Sequence, residues 1–181
     1  MESTFERESK DSQVTLIEEL DLSGFDTSKV TDMKNLFKCA KIRKIKLGKN
    51  FITTEVTSMN SMFQWYKDAS IDLSTFDTSS VTDMYAMFRQ TLLTSLDLST
   101  FDTSNVKSMA DMFFESLYLH ELDLSSFDFS KVTSGTNMFT GMGFKVEDKQ
   151  IIIYASPTNK TDIERFLAAS TRTNAVIQVK N

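Results

Sequence analysis

Close copies of the segment Leu20 to Phe37, LDLSGFDTSKVTDMKNLF, recur along this chain, beginning at Leu20, Ile45, Ile71, Leu96 and Leu122. The period is alternately about 25 and 26 residues, in the range of architectures that stack one small unit on the next. A unit of that size cannot offset the entropy of ordering its own backbone with its own apolar side chains, so stability must come from the interfaces between copies. The repeat therefore predicts a solenoid, and most of the chain is one unit repeated.

Within each copy the first signal is alternation: Leu20-Asp21-Leu22, Ile45-Lys46-Leu47, Ile71-Asp72-Leu73, Leu96-Asp97-Leu98 and Leu122-Asp123-Leu124. A period of two puts the aliphatic residues inward and the middle residue outward on a short strand. With some twenty residues in each return path, successive strands are expected to lie parallel, about 4.8 Å apart. A phenylalanine follows each strand, at Phe25, Phe51, Phe76, Phe101 and Phe127, and then a corner such as Asp26-Thr27-Ser28 or Asp77-Thr78-Ser79. Aspartate and serine make such corners by bonding to nearby backbone amides, which replaces glycine and proline as punctuation. The next apolar set is Val30, Met33, Leu36 and Phe37, with counterparts Val56, Met59, Met62, Phe63; Val81, Met84, Met87, Phe88; and Val106, Met109, Met112, Phe113. Offsets of three, six and seven predict short helical faces. The fifth copy keeps Val132, Met138 and Phe139 but has Gly135 in place of the first methionine, which marks the end of the array.

The flanks follow from this. Residues 1–19 turn from charged to apolar and read as an N-terminal cap, and 20–149 hold the five copies. Residues 150–181 read as a C-terminal cap: a strand at Ile151 to Tyr154, a turn at Pro157, a short helix opened by a Thr161 to Glu164 capping box and running to about Ala169, and a strand from Ala175 to Val179.

The motif LDLSxFDTSxVxxMxxMF, clearest in Ile71 to Phe88 and Leu96 to Phe113, resembles the 26-residue bacterial surface protein repeat, the BspA-like class of leucine-rich repeats. The second copy departs most, with Ile45-Lys46-Leu47-Gly48, one inserted residue before Phe51, and Ile52-Thr53-Thr54 at the corner. The resemblance implies a right-handed α/β solenoid of leucine-rich-repeat type with a short-stranded parallel sheet and short helical segments. It also implies a non-catalytic scaffold at the cell surface or secreted, used in adhesion or in recognition of a protein or glycan. The first residues, MESTFERESKDSQ, lack the basic and then apolar order of a secretory signal. The alternative expectation is a cytoplasmic binding module such as an inhibitor or immunity protein.

Three surfaces are candidates for recognition. The outward strand column carries Asp72, Asp97 and Asp123, like charges on adjacent strands that a cation or a basic partner would relieve. Lys44 and Lys46 belong to a basic cluster running from Lys38 to Lys49 in an otherwise acidic chain, a field that would steer an acidic partner. Trp65 and Tyr66 stand where other copies have Cys39-Ala40, Gln90-Thr91 and Glu115-Ser116, and Tyr85, Phe114 or Tyr118 on neighbouring copies would extend them. Trp and Tyr dominate interface hot spots because they offer large contact area with few rotamers to freeze. The net charge of −5 argues against nucleic acid, and no run of about 18 apolar residues is present for a membrane span. Cys39 is the one cysteine and His120 the one histidine, and neither sits in a motif for nucleophilic catalysis or metal binding, so neither an enzyme nor a cofactor is expected.

Overall fold

A computed structural model of the chain describes residues 15–68, 70–146 and 150–180. It is a parallel-strand solenoid of about six turns with little helix. The described strands are β1 (Leu20–Asp21), β2 (Ile45–Lys46), β3 (Ser95–Asp97), β4 (Glu121–Asp123), β5 (Ile151–Ala155) and β6 (Ala175–Val179), and the helix is α1 (Lys160–Ala168). The repeat sets the register: Leu20 pairs with Ile45, Leu96 with Leu122, Leu122 with Ile153, and Ile153 with Ile177, so the inward aliphatic column runs on into the cap. Most of the predicted N-terminal cap, residues 1–14, lies outside the described residues, and Ile17 begins the coil in a parallel bridge to Ile42.

The corner after each strand is built as its residue types require. Asp26, Asp77, Asp102 and Asp128 each accept the amide of the serine two residues on, at 2.8–3.0 Å. The threonine between them turns inward and joins one coil to the next: Thr27, Thr53, Thr78 and Thr103 donate their hydroxyls to carbonyls of Ile52, Asp77, Asp102 and Asp128 at 2.7–3.0 Å. Thr53 serves this way even though its copy has lost the aspartate and serine.

The expected helical faces are not helices. From Met33 to Ala40 the amides of Leu36, Lys38 and Ala40 close back onto Met33, Asn35 and Phe37, which makes a run of overlapping turns. The alternate amides, those of Met33, Asn35, Phe37 and Cys39, leave the coil and donate to carbonyls of Ser58, Asn60, Met62 and Gln64 in the next, at 2.8–3.0 Å. The pattern repeats through the following coils and requires two left-handed residues in each. These are Asn35 and Cys39, Ser61 and Trp65, Ala86 and Gln90, Asp111 and Glu115, then Asn137 and Gly141, all with φ between 51° and 74°. Apolar side chains at offsets of three and seven still point inward, so Met33, Met59, Met84 and Met109 form one buried column. Phe37, Phe63, Phe88, Phe113 and Phe139 form another, with ring centroids 5.3–5.9 Å apart and planes within 17°.

The strand side is less regular. The ladder is in two pieces, β1-β2 and β3-β4-β5-β6, and the predicted third strand at Ile71 to Leu73 belongs to neither. The C-terminal end is closed as expected by strand, helix and strand. A Cβ on Gly135 would sit 2.2 Å from the Phe166 ring, so the methionine missing from the fifth copy has given its place to a side chain of α1. The capping box does not form. The helix begins two residues earlier, after Asn159, whose side chain instead donates to carbonyls of Leu124 and Phe127 and accepts the amide of Ser156.

Candidate functional site

On the strand face the structure separates the residues that alternation had grouped. Lys44 and Lys46 are taken by the neighbouring coil: Lys44 bonds Glu19 and Lys46 bonds Asp21, both at 2.8 Å, beside an Arg43 to Glu18 pair at 2.9 Å. Arg43, Lys44 and Lys46 of the basic cluster thus fasten the second coil to the first. The Asp21 and Lys46 partnership lowers the aspartate and raises the lysine from their ordinary pKa values. Asp72, Asp97 and Asp123 each accept the amide of the serine two residues on, at 2.9–3.0 Å, so each closes an Asx turn, which for Asp97 and Asp123 ends β3 and β4. The bonds from Ser74 hold the Asp72 carboxyl below the usual range. Burial pushes Asp123 upward, but bonds from the Lys180 ammonium and from Ser125 outweigh it and the carboxyl titrates low. Asp72 and Asp97 remain exposed, whereas Asp123 is buried beneath Lys180.

The two aromatics of the second coil part company. Tyr66 lies in the core, 2% exposed, with its hydroxyl donating to the Ile42 carbonyl at 2.7 Å and its ring edge-on to Phe63. Burial, with the charge of Asp68 in support, pushes its phenol up to about 12. It is therefore a packing residue and not part of any contact surface. Trp65, one residue earlier, is in the left-handed conformation and half-buried.

Trp65 opens an array across the turn side that alternation could not foresee. Its indole Nε1 donates to Gln90 Oε1 at 2.7 Å, Gln90 Nε2 donates to Glu115 Oε2 at 2.8 Å, and the Arg172 guanidinium lies 4.0 Å from Glu115. Trp65, Gln90 and Glu115 are the second left-handed residues of their coils, so the backbone geometry that links coils also aligns these side chains. The first left-handed column bears a parallel network. Asp111, 9% exposed, accepts bonds from Arg89, from the Asn137 amide at 3.2 Å and from the Tyr85 hydroxyl at 3.4 Å. Arg89 also lies on the Phe114 ring at 4.4 Å, Lys38 on Trp65 at 5.3 Å, and Arg172 on Phe144 at 4.3 Å. Of the residues predicted from sequence, Trp65 and Tyr85 belong here, on one face with Phe114. Arg89, Gln90, Asp111, Glu115 and Arg172 were missed. For Arg89, Gln90 and Glu115 the signal was positional: in consecutive copies the residues after the Met-x-x-Met-Phe element form columns, and the columns carry complementary polar groups.

The family described as "Mycoplasma protein of unknown function, DUF285" matches residues 1–94 and again residues 39–150. The chain belongs to this family. DUF285 proteins are associated with BspA-like repeat proteins, and the description assigns them no activity. No curated protein and no solved structure matches the chain. For this DUF285 member, function has to be argued from the surface itself.

Proposed function

We propose that the chain is a non-catalytic recognition scaffold of BspA-like, leucine-rich-repeat kinship, presented at a cell surface or secreted, and that its partner is a protein bound across the turn side of the second to fourth coils. The observation that carries this reading is the array of Trp65, Tyr85, Arg89 and Phe114, held in place by bonds that run from coil to coil. Tryptophan, tyrosine and arginine are the residue types that supply most interface energy. Here their rotamers are already fixed by Gln90, Asp111 and Glu115, so binding would freeze little further side-chain motion. The strand face offers less, because Lys44 and Lys46 are neutralised by neighbouring carboxylates and its aspartates are occupied in Asx turns.

The test compares two variants with thermal unfolding like the parent's: Trp65→Ala with Tyr85→Ala, and Asp72→Asn with Asp97→Asn. A photo-activated cross-linker placed at Tyr85 should trap the same protein that the parent and the aspartate variant capture and that the aromatic variant loses. Capture abolished by the aspartate variant, and kept by the aromatic one, would move the site to the strand face.

A further inference from the structure

Among the described residues, Ile71, Asp72 and Leu73 make no backbone hydrogen bond to either neighbouring coil, although their sequence is a full copy of the strand motif. Leu73 is nevertheless buried, so its backbone is withheld from the ladder without being released to solvent as a loop. The cause lies five residues earlier. In three other copies the residue at the place of Tyr66 is small: Ala40, Thr91 and Ser116. Phe63 to Ile71 and Phe88 to Leu96 span the same eight residues, so the second coil must house a tyrosine in a connection of unchanged length. The fifth copy also carries a large residue there, Met142, but reaches its strand at Ile151 over a longer connection. Tyr66 is anchored to Ile42 in the preceding coil, and a small cavity of about 20 Å³ remains behind the displaced segment, lined by residues that include Phe37, Phe63, Ile71 and Leu73.

On the opposite side, and at the corner where Thr53 and Asp77 exchange two bonds at 2.8 Å, the second and third coils are joined. Ser58 bridges both Asp32 and Asp83, the amides of Ser61, Phe63 and Trp65 donate to Tyr85, Met87 and Arg89, and the rings of Phe63 and Phe88 stack within 2°. We propose that Tyr66 makes the strand segment of the third coil a built-in joint between the two pieces of the ladder, hinged on the turn side and free to open on the strand side. Opening separates Lys46 from Asp72 and changes the curvature of the strand face. The Trp65 to Gln90 bond lies on the hinge side, so the aromatic array keeps its shape while the sheet flexes.

Native-state hydrogen exchange reads the joint directly. The Ile71 and Leu73 amides should exchange at least about tenfold faster than those of Leu98 and Leu124, which have carbonyl acceptors in the next coil. Tyr66→Ser, which copies Ser116, should let the strand join and slow Ile71 and Leu73 by a similar factor, whereas Tyr66→Phe, which keeps the bulk, should leave them fast. Spin labels at exposed Asp21 and Asp97 should give a broad distance distribution in the parent, and labels at exposed Lys34 and Thr136 on the hinge side a narrow one. Equal protection of Ile71, Leu73, Leu98 and Leu124 in the parent would overturn the proposal, and so would a folded Tyr66→Ser protein with exchange unchanged. Should Tyr66→Ser not fold, the parent's amides and its two distance distributions decide.

Discussion

Phe88 is the middle ring of the phenylalanine column, fully buried, with its centroid 5.5 Å from that of Phe63 and 5.9 Å from that of Phe113. Replacing it with alanine removes a ring from between two others in coils that cannot close the gap without breaking their own backbone bonds. Substitutions of this kind cost about 3–5 kcal/mol, which is a large part of the roughly 5–15 kcal/mol that holds a domain folded. In urea, with a slope of about 2 kcal/mol per molar, the midpoint should fall by roughly 1.5–2.5 M. Phe25→Ala is the control. Phe25 is the same residue type in the first coil but is 60% exposed, and its loss should stay within about 1 kcal/mol. Unfolding is followed both by fluorescence of Trp65 in the second coil and by far-ultraviolet circular dichroism of the whole chain. Because each coil is stabilised by its neighbours, the two signals should move together. Two separated transitions in Phe88→Ala, or a cost no greater than that of Phe25→Ala, would refute the argument that the interfaces hold the array as one unit.

Restoring the repeat's methionine with Gly135→Met should destabilise the protein, since even a Cβ there meets the Phe166 ring; overpacking of this type costs about 1–3 kcal/mol. Removing the ring as well, in Gly135→Met with Phe166→Ala, should recover part of the loss in thermal unfolding. Acid should destabilise the fold through its Asx turns. Asp21, Asp26, Asp72, Asp77, Asp123 and Asp128 all titrate below the ordinary aspartate value in the folded chain. Their contribution is therefore complete above the unfolded value of about 3.9 and is lost as pH falls through the lower folded values. Melting temperature measured from pH 7 to pH 3 should drop mainly below about pH 4, and Asp72→Asn with Asp77→Asn should flatten that drop.

The strands, corners and C-terminal cap could be read from residue types because each rests on a local cause. Alternation such as Leu96-Asp97-Leu98 marks a strand, although the same pattern at Ile71-Asp72-Leu73 joins no ladder, and an aspartate two residues before a serine carries its own amide acceptor. The turn side misled because offsets of three, six and seven fit a helix and a run of overlapping turns equally well. What separates them is whether alternate amides bond within the coil or across it, and that choice is made by the neighbour. Asn35, Asp111, Asn137 and Gly141, residue types that tolerate left-handed backbone, were the local hints. Tyr66 read as a surface residue because variation at one position of a repeat resembles an added contact. Its burial depends on space between coils that a single copy does not reveal. The same limit hid the array: Gln90 and Glu115 look unrelated in the chain, being 25 residues apart, and meet only when the coils stack.

The left-handed residues carry an evolutionary consequence. Outside glycine, asparagine and aspartate, that conformation costs about 1–2 kcal/mol per residue, yet Trp65, Gln90 and Glu115 all occupy it. Glycine, present at Gly141 in the fifth coil, would relieve the backbone at each of these positions and erase the side chain that aligns the surface. Selection for stability alone would drift this column toward glycine. A lineage that keeps large side chains there is under pressure from what they touch, so among diverging family members the residue in this column is a record of whether a given coil is still in use.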